Sequence, residues 1–123
     1  MEIDRVEEIS CDIVGKGNIE VIEQTEDFIV EKMPGGFEEK GLQVNRITIE
    51  KNKSFNVNDI KSFHSLVSIK GKAQIIIKNK NYDIPLVVPN GKMLLIPAIC
   101  KNFEIRAIEK VQIIDIFTPV VSF

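Results

Sequence analysis

The 123-residue sequence has no tryptophan, one tyrosine and one histidine, His64. A catalytic divalent ion needs about three protein ligands converging on one point, so a metal site here must lean on carboxylates and amides. Cysteine is nearly as scarce, with only Cys11 and Cys100. Two distant cysteines make no disulfide framework, and there is no C-x-x-C pair to suggest zinc or redox chemistry. No apolar run approaches the roughly 20 residues that cross a bilayer as a helix. The stretch Met1 to Ser10 alternates acids with single apolar residues and lacks the basic start and apolar stretch of a signal peptide. The expected location is therefore the reducing cytoplasm, with both thiols free and Cys100, beside Ile99, buried and inert. A charge excess of either sign is missing too. Lys+Arg 16 against Asp+Glu 18 leaves a net charge of -2, which gives no reason to expect nucleic acid or an anionic membrane as partner. A phosphate-cradling glycine loop is absent, since Gly15-Lys16-Gly17 is too short for one.

What is present is β-branched. The chain holds 21 Ile and 12 Val against 5 Leu and 3 Ala. Such side chains lose rotamer freedom in helices and pack well on pleated sheets. With 44% hydrophobic and 28% charged residues, the composition is that of one globular domain rather than a disordered chain.

Short apolar runs recur about every ten residues, separated by turn chemistry. They cover Ile19 to Ile22, Phe28 to Glu31, Gln43 to Glu50, Phe63 to Ile69, Ala73 to Ile77, Tyr82 to Val87, Met93 to Ile96, Phe103 to Ala107 and Val111 to Phe117. Met33-Pro34-Gly35-Gly36, Lys51-Asn52-Lys53, Asn56-Val57-Asn58-Asp59, Lys70-Gly71, Lys78-Asn79-Lys80-Asn81 and Pro89-Asn90-Gly91 read as turns and loops. Pro119 marks the end of the last strand. Ahead of the strands, Ile3, Val6, Ile9 and Ile13 lie three or four apart, suiting one face of a short helix or an irregular lead-in. The reading is an all-β antiparallel jelly-roll barrel or sandwich over 19–123, preceded by a lead-in over 1–18.

Strand alternation puts Asn102, Glu104 and Arg106 on one face and Phe103, Ile105 and Ala107 on the other. With the polar face inward, these three and His64 form a site for a small polar or phosphorylated ligand, Arg106 meeting the anion. With Phe103 and Ile105 inward, the polar three face water, as the inside/outside rule favours.

Two stretches resemble the paired motifs of the cupin family. Gly91-Lys92-Met93-Leu94-Leu95-Ile96-Pro97-Ala98 has the opening spacing of the second, and His64-Ser65-Leu66-Val67-Ser68-Ile69-Lys70-Gly71 resembles the end of the first. The resemblance implies a small β-barrel. It also implies where metal ligands fall in metal-binding members. His64 takes the place of the usual Glu, and the upstream histidines fall near Val57 and Asp59, or near Asn58 and Ile60. The last histidine becomes Asn102, and the glycine usually found two residues after the proline becomes Ile99. His64, Asp59 and Asn102 remain as candidates for a mixed site, with zinc or another divalent ion as cofactor. The departures favour no metal and no bound cofactor, leaving His64 as a hydrogen-bonded residue near the barrel mouth.

A narrower likeness runs from about Thr25 to Pro119. The segments Thr25-Glu26-Asp27-Phe28-Ile29-Val30-Glu31-Lys32, Phe63 to Gly71 and Leu95-Ile96-Pro97-Ala98 resemble the C-terminal cupin domain of type I mannose-6-phosphate isomerases. In that family, zinc and the isomerising residues belong to a separate domain, so the resemblance carries no catalytic residue onto this chain. It implies a non-catalytic module of carbohydrate metabolism, for sugar-phosphate binding or subunit assembly. The alternative is a stand-alone metal-dependent sugar-phosphate isomerase or related small cupin enzyme. Paired barrels, and the apolar end Val120-Val121-Ser122-Phe123, make a homodimer the expected assembly.

Overall fold

The computed structural model describes residues 18–35, 41–78, 83–88 and 90–119. The lead-in with Ile3, Val6, Ile9 and Ile13, the turn residues Asn79 to Asn81, and the end Val120 to Phe123 lie outside the described residues. Ten strands are described: β1 (Glu20–Gln24), β2 (Phe28–Lys32), β3 (Gln43–Ile49), β4 (Ser54–Val57), β5 (His64–Lys70), β6 (Ala73–Lys78), β7 (Asp83–Val88), β8 (Met93–Ile96), β9 (Phe103–Ala107) and β10 (Val111–Phe117). A short 3-10 turn, Ala98–Cys100, joins β8 to β9. No described helix is long and apolar enough to cross a membrane.

The strands form two antiparallel sheets. One has six strands in the order β1-β2-β3-β10-β5-β8, the other four in the order β4-β9-β6-β7. From β3 onward the chain passes back and forth between them, which is the expected jelly-roll sandwich rather than a meander. The core lies between the sheets. Inward positions of β3, β5, β6, β8, β9 and β10 place Ile47, Ile49, Leu66, Ile75, Ile96, Phe103, Ile105, Val111 and Ile113 almost wholly out of water. Period-2 alternation is what delivers them to one face. A second, smaller apolar cluster of Met33, Val44, Ile69 and Ile114 sits on the outer face of the six-stranded sheet. That is why β10 buries both Ile113 and Ile114.

One element corrects the sequence reading. Asn56 and Val57, read as loop, belong to β4, paired with β9 through Ser54↔Arg106 to Val57↔Phe103. Phe55 and Val57 alternate inward onto the core, and Phe55 meets Phe28 edge-to-face at 4.8 Å. Asparagine is depleted in strands on average, but on an edge strand its side chain faces water at no packing cost. Smaller differences are one- or two-residue shifts at strand ends. Cys100 is only partly buried, because the 3-10 turn that carries it lies at the rim of the sandwich rather than in a strand.

Candidate functional site

A polar cluster inside the sandwich lies at one end of the six-stranded sheet, and strand register assembles it. β5 pairs with β10 so that Phe117 stands opposite His64 and Asp115 opposite Leu66. His64 and Asp115 are therefore diagonal neighbours on the inward face, within reach of each other's side chains. His64 Nδ1 lies 2.8 Å from Asp115 Oδ1 and 3.0 Å from Oδ2. Both side chains are buried, 8% and 4% exposed. The imidazole stacks on Phe117 at 4.7 Å and meets the Phe103 ring edge-to-face at 5.5 Å. On the other side of β10, Asn45 of β3 stands opposite Asp115. Its Oδ1 accepts a hydrogen bond from Gln43 Nε2 at 3.1 Å.

An ionised carboxylate only accepts hydrogen bonds, so in this pair His64 Nδ1–H donates to Asp115. Burial pushes the Asp115 carboxyl above its usual range, against the hydrogen bond and charge of His64, which pull it down. The folded state thus holds the Asp115 proton more readily than the unfolded chain. The stability this contributes is fully present below the unfolded pKa and is lost as pH rises through the folded one. In Asp115→Asn the uncharged amide still offers Oδ1 to Nδ1–H. Its Tm, measured against wild type by circular dichroism, is expected to gain on wild type as pH rises from about 4 toward neutrality. A gap that narrows over that range would contradict the assignment.

A groove of about 690 Å³ lies nearby, at the outer end of the four-stranded sheet. Ile77, Ile84, Ile99 and Cys100 line it together with Lys78, Lys101 and Asn102. Phe103 links the two places, since it pairs with Ile77 in register and touches the His64 ring.

The four ligand-binding residues expected from the sequence occupy three separate places. His64 is inside. Asn102 borders the groove, and its Oδ1 accepts the Asp59 backbone N–H at 2.8 Å. Glu104 and Arg106 lie on the outer face of the four-stranded sheet, because Phe103, Ile105 and Ala107 of the same strand are in the core. Glu104 is nevertheless buried, held by Lys78 at 3.1 Å and Arg106 at 2.9 Å. Glu104 and Asp83 together hold the Lys78 ammonium above its usual range. Arg46, unremarkable in the sequence, forms a two-pronged pair with Glu31 on the outer face of the other sheet.

The metal candidates do not converge. His64 Nδ1 is committed to Asp115. The Asp59 carboxylate is 79% exposed and pairs with Lys61 at 3.0 Å. The Asn102 amide is neutral and already engaged. Among the described residues no three His, Cys, Asp or Glu side chains gather at one point, and this donor set does not fit a divalent-ion site.

Sequence reasoning missed Asp115, Asn45 and Gln43. A signal for the first was available: Asp115 is the lone charge in the apolar run Ile113-Ile114-Asp115-Ile116-Phe117. A carboxylate in a central strand must be paired or hydrogen-bonded.

No family model matches the sequence. No curated protein matches it either. Solved structures do match in fold. Hydroxypropylphosphonic acid epoxidase from S. wedmorenis superposes with a TM-score of 0.68 at 8% identity, over 81% of this chain and 55% of that one. Ectoine synthase from P. lautus gives 0.61 at 14%, over 81% and 70%. Vicilin from Corylus avellana (hazelnut) gives 0.66 at 17%, over 85% and 32%. The chain thus spans about half the length of the epoxidase. These are cupin-fold proteins, and the two-sheet sandwich described above is the cupin jelly roll.

Proposed function

We propose that the chain is a mannose-6-phosphate isomerase-like cupin module of the cytoplasm that binds a sugar phosphate without isomerising it. The observation that carries this reading is the groove beside β9, which sets ammonium groups against an apolar floor. Aldose–ketose isomerisation needs a base against the substrate carbon and a group that polarises the carbonyl, often a metal. The chain's one imidazole is clamped between two aromatic rings and tied to a carboxylate. Among the described residues no three metal-type donors gather beside it. Binding is better served by the groove. Lys101 supplies an ammonium group for a phosphate, and Asn102, whose Oδ1 is engaged by Asp59, offers its Nδ2–H; Lys78 lines the same groove while paired to Glu104 and Asp83. Ile77, Ile84 and Ile99 offer an apolar floor for the carbon face of a sugar ring.

The test is a thermal-shift titration of the full chain with hexose 6-phosphates, free hexoses and inorganic phosphate. A ligand at about 100 times its Kd stabilises by about 2.7 kcal/mol, a Tm gain of several degrees for a domain this size. Hexose phosphates are expected to give this gain, and Lys101→Glu to abolish it. Absence of any shift, or isomerase turnover by the purified chain, would overturn the reading.

One observation favours an enzyme instead. An imidazole held through Nδ1 by a carboxylate is oriented as the general base of many enzymes is, with Nε2 as its remaining ring nitrogen. Elemental analysis separates the two. Stoichiometric zinc, iron or manganese in the purified protein, lost in His64→Ala, would favour a metal-dependent sugar-phosphate isomerase or related small cupin enzyme.

A further inference from the structure

The connection between β7 and β8 carries Asn90-Gly91, the one place where the sequence sets glycine after asparagine. Every other asparagine is followed by a residue with a side chain. An asparagine side chain cyclises when the next main-chain nitrogen attacks its amide carbon, and a following residue without Cβ leaves that approach open. Asn90 is exposed. It also borders a cleft of about 270 Å³ shared with Lys72, Val87 and Glu109, so water reaches it. The structure ties both reacting groups to a single residue of the neighbouring strand. Gly91 N–H donates to the main-chain carbonyl of Ser68 in β5 at 2.9 Å. The Ser68 hydroxyl donates to Asn90 Oδ1 at 3.1 Å, with the Gly71 carbonyl further off at 3.4 Å. Ser68 is fully buried, so its hydroxyl has no bulk water to turn to.

We propose that Asn90-Gly91 is a site of spontaneous deamidation, and that Ser68 holds it unreacted while the turn is closed. The step balances with solvent alone. Gly91 N gives up its proton and bonds to Asn90 Cγ, the Cγ–Nδ2 bond breaks, and the side-chain nitrogen leaves with a proton as ammonia. Water then opens the cyclic imide. Attack at Cγ gives aspartate, and attack at the main-chain carbonyl carbon of residue 90 gives isoaspartate. In the closed turn, the proton that must leave is engaged by the Ser68 carbonyl, and the amide to be attacked is anchored by the Ser68 hydroxyl. Reaction therefore waits for the turn to open locally.

The two products differ in what they do to the fold. Aspartate still offers the Ser68 hydroxyl an acceptor. Isoaspartate routes the main chain through the side-chain methylene, which lengthens the link between two fixed points. One is Val88, buried at the end of β7. The other is Met93, which opens β8 opposite Val67 of β5. The added carbon displaces Gly91 N from Ser68 O and disturbs the register of β8 on β5. The proposal does not depend on the sugar-phosphate reading, since neither Asn90 nor Ser68 lines the groove.

The test is peptide mass spectrometry of the full chain after incubation in mildly alkaline buffer, native and in guanidinium. In the unfolded chain Asn90 is expected to show the amide-to-acid mass gain before any other asparagine. In the native chain its conversion is expected to be roughly tenfold slower or more, as when fewer than about one turn in ten is open. Ser68→Ala is expected to raise the native rate several-fold, with a wild-type circular dichroism spectrum. Ser68→Cys, a weaker donor of similar size, is expected to fall between. The isoaspartyl form is expected to melt below the unmodified protein, and Asn90→Asp to melt as wild type does. Equal native and unfolded rates overturn the proposal, as does another asparagine reacting first in the unfolded chain. Native rates that neither Ser68 variant changes overturn it equally.

Discussion

Replacing Gly71 by alanine is expected to cost most of the stability of the folded state. Gly71 joins β5 to β6 at the crossing from one sheet to the other, with φ +80°. A Cβ there would lie 2.0 Å from the carbonyl oxygen of Lys110, and 2.9 Å from the Lys110 carbonyl carbon and Val111 Cα. All three are backbone atoms, so no rotamer change relieves the clash. The turn that carries them is itself pinned, because Ile108 N and Glu109 N both donate to Lys72 O at 2.9 and 3.2 Å. Alanine must push apart two hydrogen-bonded turns and also take a left-handed conformation that costs roughly 1–2 kcal/mol in itself. The expected loss exceeds about 4 kcal/mol, most of the stability of a marginal domain. Gly41 provides the control. Its φ is +73°, yet nothing lies within 4 Å of an added Cβ. Gly41→Ala should cost only the dihedral penalty. Guanidinium unfolding of both variants checks the pair, and equal losses would show that conformation, not contact, makes Gly71 necessary.

His64→Ala carries the second-largest expected effect, a loss of about 3–5 kcal/mol. The substitution leaves the Asp115 carboxylate buried without its donor, and empties the slot between Phe117 and Phe103. It also removes what holds the Asp115 pKa down, so that burial alone acts on it. The carboxyl is then expected to protonate at higher pH than in wild type. A double variant separates the charge from the packing. In His64→Leu with Asp115→Leu both polar partners are gone, and apolar replacement of a buried pair is often neutral or stabilising. The double variant should therefore recover most of the stability lost in His64→Leu alone. Thermal or denaturant melts of the single and double variants measure it. A double variant as unstable as the single one would mean that the pair contributes through geometry rather than through mutual neutralisation.

Strand positions were legible where the alternation was long and apolar. β8, β9 and β10 run from Met93 to Ile96, Phe103 to Ala107 and Val111 to Phe117, as their pattern predicts. β4 was not legible, because four residues with asparagines in and after them carry too few period-2 repeats. The inward direction of β9 followed from Phe103 and Ile105, which outweigh the polar side chains between them. The burial of Glu104 did not follow. It depends on Lys78 reaching across from β6, a neighbour that strand order alone supplies.

Residue types taken singly decided that this chain builds a β-sandwich. A β-branched excess with turns every ten residues buries enough apolar surface only as stacked pleated sheets. They also picked out His64, the one imidazole, as the residue to watch. Its partner is another matter. Asp115 lies 51 residues away along the chain and meets His64 only because β10 is threaded between β3 and β5. A ladder aligns residues by register, whatever their separation in the chain, and that register is set by the whole packed sheet rather than by any local run of residues.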